Sequence, residues 1–114
     1  MMKRKAEVLS ILSVAKKAGR ISSGETAVLG DIRSFKSCLV LIASDASQGT
    51  KKKFTDKSTY YDVPCRVYGT KESLAGATGS DMRAVISVND EGFAGTILER
   101  LEEADINGEQ QKDK

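Results

Sequence analysis

The chain has 114 residues, 39% hydrophobic and 30% charged, which is enough for one domain with a single core and excludes a largely disordered polymer. It contains no histidine, so histidine-based acid–base catalysis and histidine-oriented triads are excluded, and its two cysteines have no histidine to complete a zinc site. The net charge of +2 hides an asymmetry: residues 1–60 carry 12 Lys/Arg against 5 Asp/Glu, and residues 61–114 carry 6 against 11. Such a division points either to a basic partner-binding face with an acidic, solvating end or to ordinary surface charges spread unevenly along the chain.

The basic start Met1-Met2-Lys3-Arg4-Lys5 leads into an amphipathic pattern. There is no signal-type apolar region, and no run approaches the roughly 20 residues of a membrane span. A cytoplasmic protein with no membrane partner is expected. Val8, Ile11, Leu12, Ala15 and Ala18 fall on one face of a helix over 3–18, with Gly19 as its terminator. Arg20-Ile21 reads as the start of a short strand. A second helix is predicted over 24–34, with Val28, Leu29 and Ile32 inward. The continuous apolar run Cys38 to Ala43 predicts a strand buried on both faces. Asp45 or Ser47 is placed to cap a third helix over 48–61, with Phe54, Ser58 and Tyr61 on one side and Tyr60 more exposed.

Pro64 to Tyr68 reads as the next strand and Lys71 to Ala77 as a short helix. A loop over 79–82 precedes a strand from Arg83 to Val88. Asn89 or Asp90 caps a last helix striped by Phe93, Ile97, Leu98 and Leu101. A single domain is expected over 1–104, followed by a polar, disordered tail over 105–114. Cys38 and Cys65 lie in apolar runs and read as reduced, buried thiols. No surplus apolar face remains once the helices are assigned, so a monomer is expected. Alternating helices and buried strands predict an α/β/α sandwich around one small sheet, whose ligands favour strand ends and the turns into helices.

The stretch AGRISSGETAVLGD, Ala18 to Asp31, is such a turn. Ser22 and Glu25 have the spacing of a capping box, in which hydroxyl and carboxylate each bond the other's backbone N–H. That leaves Gly24 unexplained. Glycine early in a helix costs stability, and its advantage is close backbone approach by a ligand. Helix N-termini favour anions, and Lys16, Lys17 and Arg20 add to that field. Lys51, Lys52 and Lys53 form the densest basic cluster, either a solvated face or a phosphate contact. Ser44, Asp45 and Ser47 lack a base that would make them catalytic. No enzymatic constellation converges and no cofactor is implied.

AGRISSGETAVLGDIRSFKSCLVLIASDAS, TKKKFTDKSTYYDVP, GTKESLAGATG and RAVISVNDEGFAGTI occur in that order across about residues 6–101. Together they resemble the kink-turn-binding ribosomal protein family, of the large-subunit L-seven-Ae and L-thirty-e type, and most of all its bacterial YlxQ-like branch. The resemblance implies a three-layer α/β/α sandwich with a small mixed four-stranded sheet, and RNA binding with ribosome or structured-RNA association rather than catalysis. In that family the start of the second helix reads tandem sheared G·A pairs in a sharply bent RNA. The pattern there is glycine, any residue, asparagine, glutamate, then lysine three further on. Aligned on Gly24, the three reader positions are Thr26, Ala27 and Gly30, so reading passes from side chains to backbone N–H groups and positive charge. Arg20 falls where relatives carry a basic residue, Asp45 in the acidic loop after the second strand, and Met82 at an apolar loop position near the bent RNA. The implied RNA surface is Arg20, Ser22, Ser23, Gly24, Glu25, Thr26, Ala27, Gly30, Arg33, Asp45, Met82 and Arg83. The competing expectation is a protein–protein adaptor on the same fold, docking through its acidic half or the Tyr60 region.

Overall fold

Two short runs, the wholly apolar Leu39–Ile42 and Val85–Val88 with its one polar residue Ser87, are buried at every position and form the centre of the sheet. The computed structural model describes the backbone of residues 2–106 and the side chains of residues 7–103. In chain order the elements are α1 (Met2–Lys17), β1 (Ile21–Ser23), α2 (Glu25–Arg33), β2 (Leu39–Ile42), α3 (Gln48–Tyr60), β3 (Cys65–Val67), α4 (Lys71–Thr78), β4 (Val85–Val88) and α5 (Glu91–Ile106). The expected polar tail over 105–114 lies, from 107 onward, outside the described residues.

The sheet order is β1-β4-β2-β3. β4 is antiparallel to both β1 and β2, while β2 and β3 are parallel, so the sheet is mixed as expected. Alternate side chains of each strand face opposite layers. Leu39, Leu41, Ile86 and Val88 pack with Val8 and Leu12 of α1, Leu74 of α4, and Ile97 and Leu101 of α5. Val40, Ile42 and Val85 pack on the other side with Val28 and Ile32 of α2 and Phe54 of α3. This is a three-layer α/β/α sandwich. No helix among the described residues is long and apolar enough to cross a membrane.

The register gives the sheet two distinct ends. Ile42 pairs with both Val85 and Val67, and Ser23 pairs with Ile86. The exits of β1, β2 and β3 therefore meet the entry of β4 at one end, called here the upper end. Ile21 and Leu39 both pair with Val88, which puts the starts of β1 and β2 at the lower end. α2 and α3 each run from the upper end to the lower. Their first turns touch through Glu25 and Thr50, and their last turns through Phe35 and Tyr61.

Polar details decide two open helix caps and correct the expected burial of the cysteines. Ser47, not Asp45, caps α3, its hydroxyl accepting from the Thr50 N–H at 3.1 Å. Asp45 instead accepts from the Lys71 N–H at 3.0 Å and so holds the first turn of α4. Asp90 caps α5, accepting from the Phe93 N–H at 3.0 Å, which leaves Asn89 for another role. Cys38 and Cys65 are free and only half-buried. Burial pushes both thiols up. The carboxylates of Glu91 and Asp90 add to that effect at Cys38, while the hydroxyls of Ser58 and Thr55 and the charge of Arg66 oppose it at Cys65. Thiols raised in this way carry less thiolate at neutral pH than a free cysteine.

Candidate nucleic-acid interface

α2 begins at the upper end without the expected capping box. Ser22 and Ser23 belong to β1, and Gly24 is the residue ahead of the helix, with φ 94° and no side chain to cap it. The Gly24 N–H is held by the Val85 carbonyl at 3.0 Å, and its own carbonyl accepts the Val28 N–H. The N–H groups of the first turn are thus left without a side-chain cap, at the positive end of the helix dipole.

Glu25 faces away from Ser22. Its carboxylate accepts from the Thr50 hydroxyl at 3.0 Å and pairs with Lys53 Nζ at 3.5 Å. The capping box fails because Ser22 is fixed in the β1–β4 ladder opposite Ser87, where its side chain faces Asn89 instead. Asn89 Nδ2 donates to Ser22 Oγ at 3.3 Å and to Asp31 Oδ2 at 2.9 Å.

Gly24 has a local reason that the sequence does not disclose. An added Cβ would lie 3.2 Å from Arg83 Nη1. The close approach that glycine permits is already made by the protein's own arginine. Arg83 is exposed along its outer part and has Asp81 at 3.8 Å. Beside it Met82 is 61% exposed, an apolar side chain held at the surface by the loop into β4. Thr26, Ala27 and Gly30 are all exposed on the outer side of α2, and a Cβ at Gly30 would meet open space.

The expected site residues therefore divide. Ser23, Gly24, Glu25, Thr26, Ala27, Asp45, Met82 and Arg83 share the upper end, with Gly30 midway along α2. Arg20 and Ser22 sit with Gly19, Asp31, Lys36 and Asn89 around a separate polar hollow toward the lower end, and Arg33 ends α2 there. Of the lysine cluster, Lys52 pairs with Asp56 within α3 at 3.0 Å and Lys53 with Glu25 at 3.5 Å, and both remain exposed to solvent. Asp45 is engaged with the α4 backbone, which makes it an organiser of the loop. Sequence reasoning missed Asn89 and Phe35. Asn89 gave no signal beyond its capping potential, and Phe35 gave none beyond an aromatic following a helix.

The chain matches the family model described as the ribosomal protein L7Ae/L30e/S12e/Gadd45 family over residues 6–97. The RNA-binding protein YlxQ of Bacillus subtilis (strain 168) is 38% identical over 96 residues, 84% of this chain and 96% of its own length. The RNA-binding protein YlxQ of Enterococcus faecium is 36% identical over 96 residues, 84% of this chain and 92% of its own. Among solved structures, a protein with unknown function from Bacillus halodurans C superposes with a TM-score of 0.82 at 35% identity, over 85% of this chain and 98% of that one. The Giardia lamblia 15.5kD RNA binding protein superposes with a TM-score of 0.73 at 19% identity, over 91% of this chain and 89% of its own. At that identity the likeness is one of fold.

Proposed function

This chain belongs to the ribosomal protein L7Ae/L30e/S12e/Gadd45 family, and on that footing we propose that it is a non-enzymatic RNA-binding protein whose contact surface is the upper end of the sheet. The two similar YlxQ proteins are named as RNA-binding. The observation that carries the reading is the uncapped start of α2 at Gly24, with Arg83 packed against it and Met82 exposed beside it.

The chemistry follows from the geometry. The first-turn N–H groups of α2 and the Arg83 guanidinium together form a positively polarised corner of hydrogen-bond donors for a phosphate or for the O6 and N7 acceptors of a guanine. Thr26 adds one hydroxyl. Ala27 and Gly30 add no polar group but let RNA lie close to the helix. Met82 offers an apolar contact for an unstacked base. With the family's asparagine, glutamate and lysine replaced by Thr26, Ala27 and Gly30, recognition rests mainly on RNA shape and backbone contact. A bent, kink-turn-like RNA within a ribosomal or other structured RNA is the target this surface fits.

The test is fluorescence anisotropy with a labelled kink-turn RNA, the same RNA with its sheared G·A pairs replaced by Watson–Crick pairs, and a plain duplex, each at two salt concentrations. Preference for the kink-turn, lost in Arg83→Ala, is the expected result. Equal, salt-sensitive binding to all three would remove the shape-specific part of the proposal. No binding to any would transfer the surface to a protein partner.

A further inference from the structure

At the lower end the last turns of α2 and α3 carry three aromatic rings in contact. Phe35 and Tyr61 have ring centroids 5.7 Å apart, and Tyr61 and Tyr60 are 5.0 Å apart, both edge-to-face. Tyr61 is half-buried against the core, while Phe35 is 77% and Tyr60 80% exposed. These are the two most exposed large apolar side chains among the described residues.

Phe35 holds its place at a backbone disadvantage. It has φ 62°, in a helix-ending turn where the Phe35 N–H bonds the Ile32 carbonyl at 3.2 Å and the Lys36 N–H bonds the Asp31 carbonyl at 2.9 Å. That position ordinarily takes glycine, and another residue there costs about 1–2 kcal/mol. Burial of the ring does not offset the cost, because most of the ring faces solvent. The edge contact with Tyr61 offsets part of it.

The surroundings of the rings are positive. Arg33 and Lys36 flank Phe35 in the chain, and Lys57 lies three and four positions before Tyr60 and Tyr61 on the same side of α3. None of the three makes an ion pair among the described residues. Of the acidic groups nearby, Asp56 is paired with Lys52 and Asp31 is bonded by Asn89. Asp62 is the exposed carboxylate that remains beside Tyr61. Exposed π-faces beside unpaired cations are the composition of a single-strand platform, on which bases stack while the backbone tracks the charge. A docking site for an apolar protein surface does not require this cationic rim.

We propose that Phe35 and Tyr60, with Arg33, Lys36 and Lys57, form a second RNA contact that stacks unpaired bases of a strand leaving the structured RNA held at the upper end. The inference extends the proposed function and rests on it for the first contact only. α2 spans about 12 Å from its first to its last residue at about 1.5 Å per residue. A strand leaving the first contact follows the exposed line of Thr26, Gly30 and Arg33 along α2 toward Phe35.

The experiment compares the whole chain with a Phe35→Gly, Tyr60→Ser double variant. Phe35→Gly suits the backbone at that position, and Tyr60 is exposed, so the fold is retained; circular dichroism checks this. The probes are a blunt kink-turn RNA, the same RNA with a single-stranded six-uridine extension, and the oligouridine alone. The expected result is that the extension tightens wild-type binding at least about 5-fold, that the double variant loses this gain, and that blunt affinity stays within about 2-fold. A gain that survives in the double variant, or no gain in wild type together with no oligouridine binding, overturns the platform. Oligouridine binding that depends on Phe35 and Tyr60 without kink-turn binding sustains the platform while the first contact fails. A protein captured by wild type and released by the double variant, with no uridine effect, assigns the rings to protein docking and also overturns it.

Discussion

The guanidinium of Arg83 packs against Gly24, so closely that a methyl group at Gly24 would lie 3.2 Å from Nη1 and 3.6 Å from the guanidinium carbon. Two constraints meet at this glycine. Its φ of 94° is one that L side chains rarely adopt, and the space beside it is taken.

Gly24→Ala is expected to destabilise the protein by about 1–3 kcal/mol through the backbone alone, because φ 94° with ψ 153° is a region essentially reserved for glycine. Arg83→Ala in the same chain relieves the contact but not the backbone. Urea denaturation of the two single variants and the double variant separates the two causes. Full recovery of stability in the double variant would mean that contact with Arg83, and not φ, sets the requirement for glycine.

Ser87 lies within the sheet with no exposure, 2.7 Å from Ser37 Oγ and 2.6 Å from Asn89 Oδ1. Asn89 passes the chain on to Asp31 and Ser22. Ser87→Ala leaves two polar atoms in or near the core without their partner, at a cost of about 1–3 kcal/mol. Thermal unfolding measures it. A loss below about 0.5 kcal/mol would show that water or rotation of Ser37 repairs the gap.

Glu25 is held by Thr50 and Lys53 beside the proposed RNA surface. Both members of the ion pair are more than 40% exposed, so the pair contributes little stability. Glu25→Gln is therefore expected to leave the melting temperature nearly unchanged. It removes a negative charge beside a phosphate site and frees Lys53, so RNA affinity at low salt should rise about 2- to 5-fold. Weaker binding by this variant would indicate that the carboxylate itself accepts a hydrogen bond from the RNA.

Tyr68 is buried, and loss of hydration pushes its phenol up from 10.0 to about 12. The folded state thus favours the neutral phenol. The stabilisation is fully present below pH 10 and is lost as pH rises from 10 toward 12. Denaturation midpoints at pH 8 and pH 11 should fall further for the wild type than for Tyr68→Phe. Equal falls would mean that the alkaline loss comes from other groups.

Much of the architecture was legible in the sequence. The apolar run from Cys38 to Ala43 gave β2, and the spacing of Val28 and Ile32 gave the inward face of α2, because periodicity is a local property. The end of α1 was readable from Gly19 for the same reason. Residues with several possible partners were less legible. Ser22 and Glu25 have the spacing of a capping box, yet the strand claims one and α3 the other. Asp45 does bond the start of a helix, but it is α4, whose own cap is Thr70, rather than α3. At the candidate site Gly24, Met82 and Arg83 did come together, whereas Arg20 and Arg33 were carried toward the other end by the direction of β1 and the length of α2.

The sequence by itself determined which segments become helices and strands and which faces of them leave water, since those outcomes depend on neighbours within a few residues. Only the tertiary structure decided which polar group each side chain meets. Asn89 reaches Ser22 and Asp31, Glu25 reaches Thr50, and Arg83 reaches Gly24 because the sheet register and the parallel course of α2 and α3 place them together. No local pattern encodes an encounter between residues so far apart in the chain.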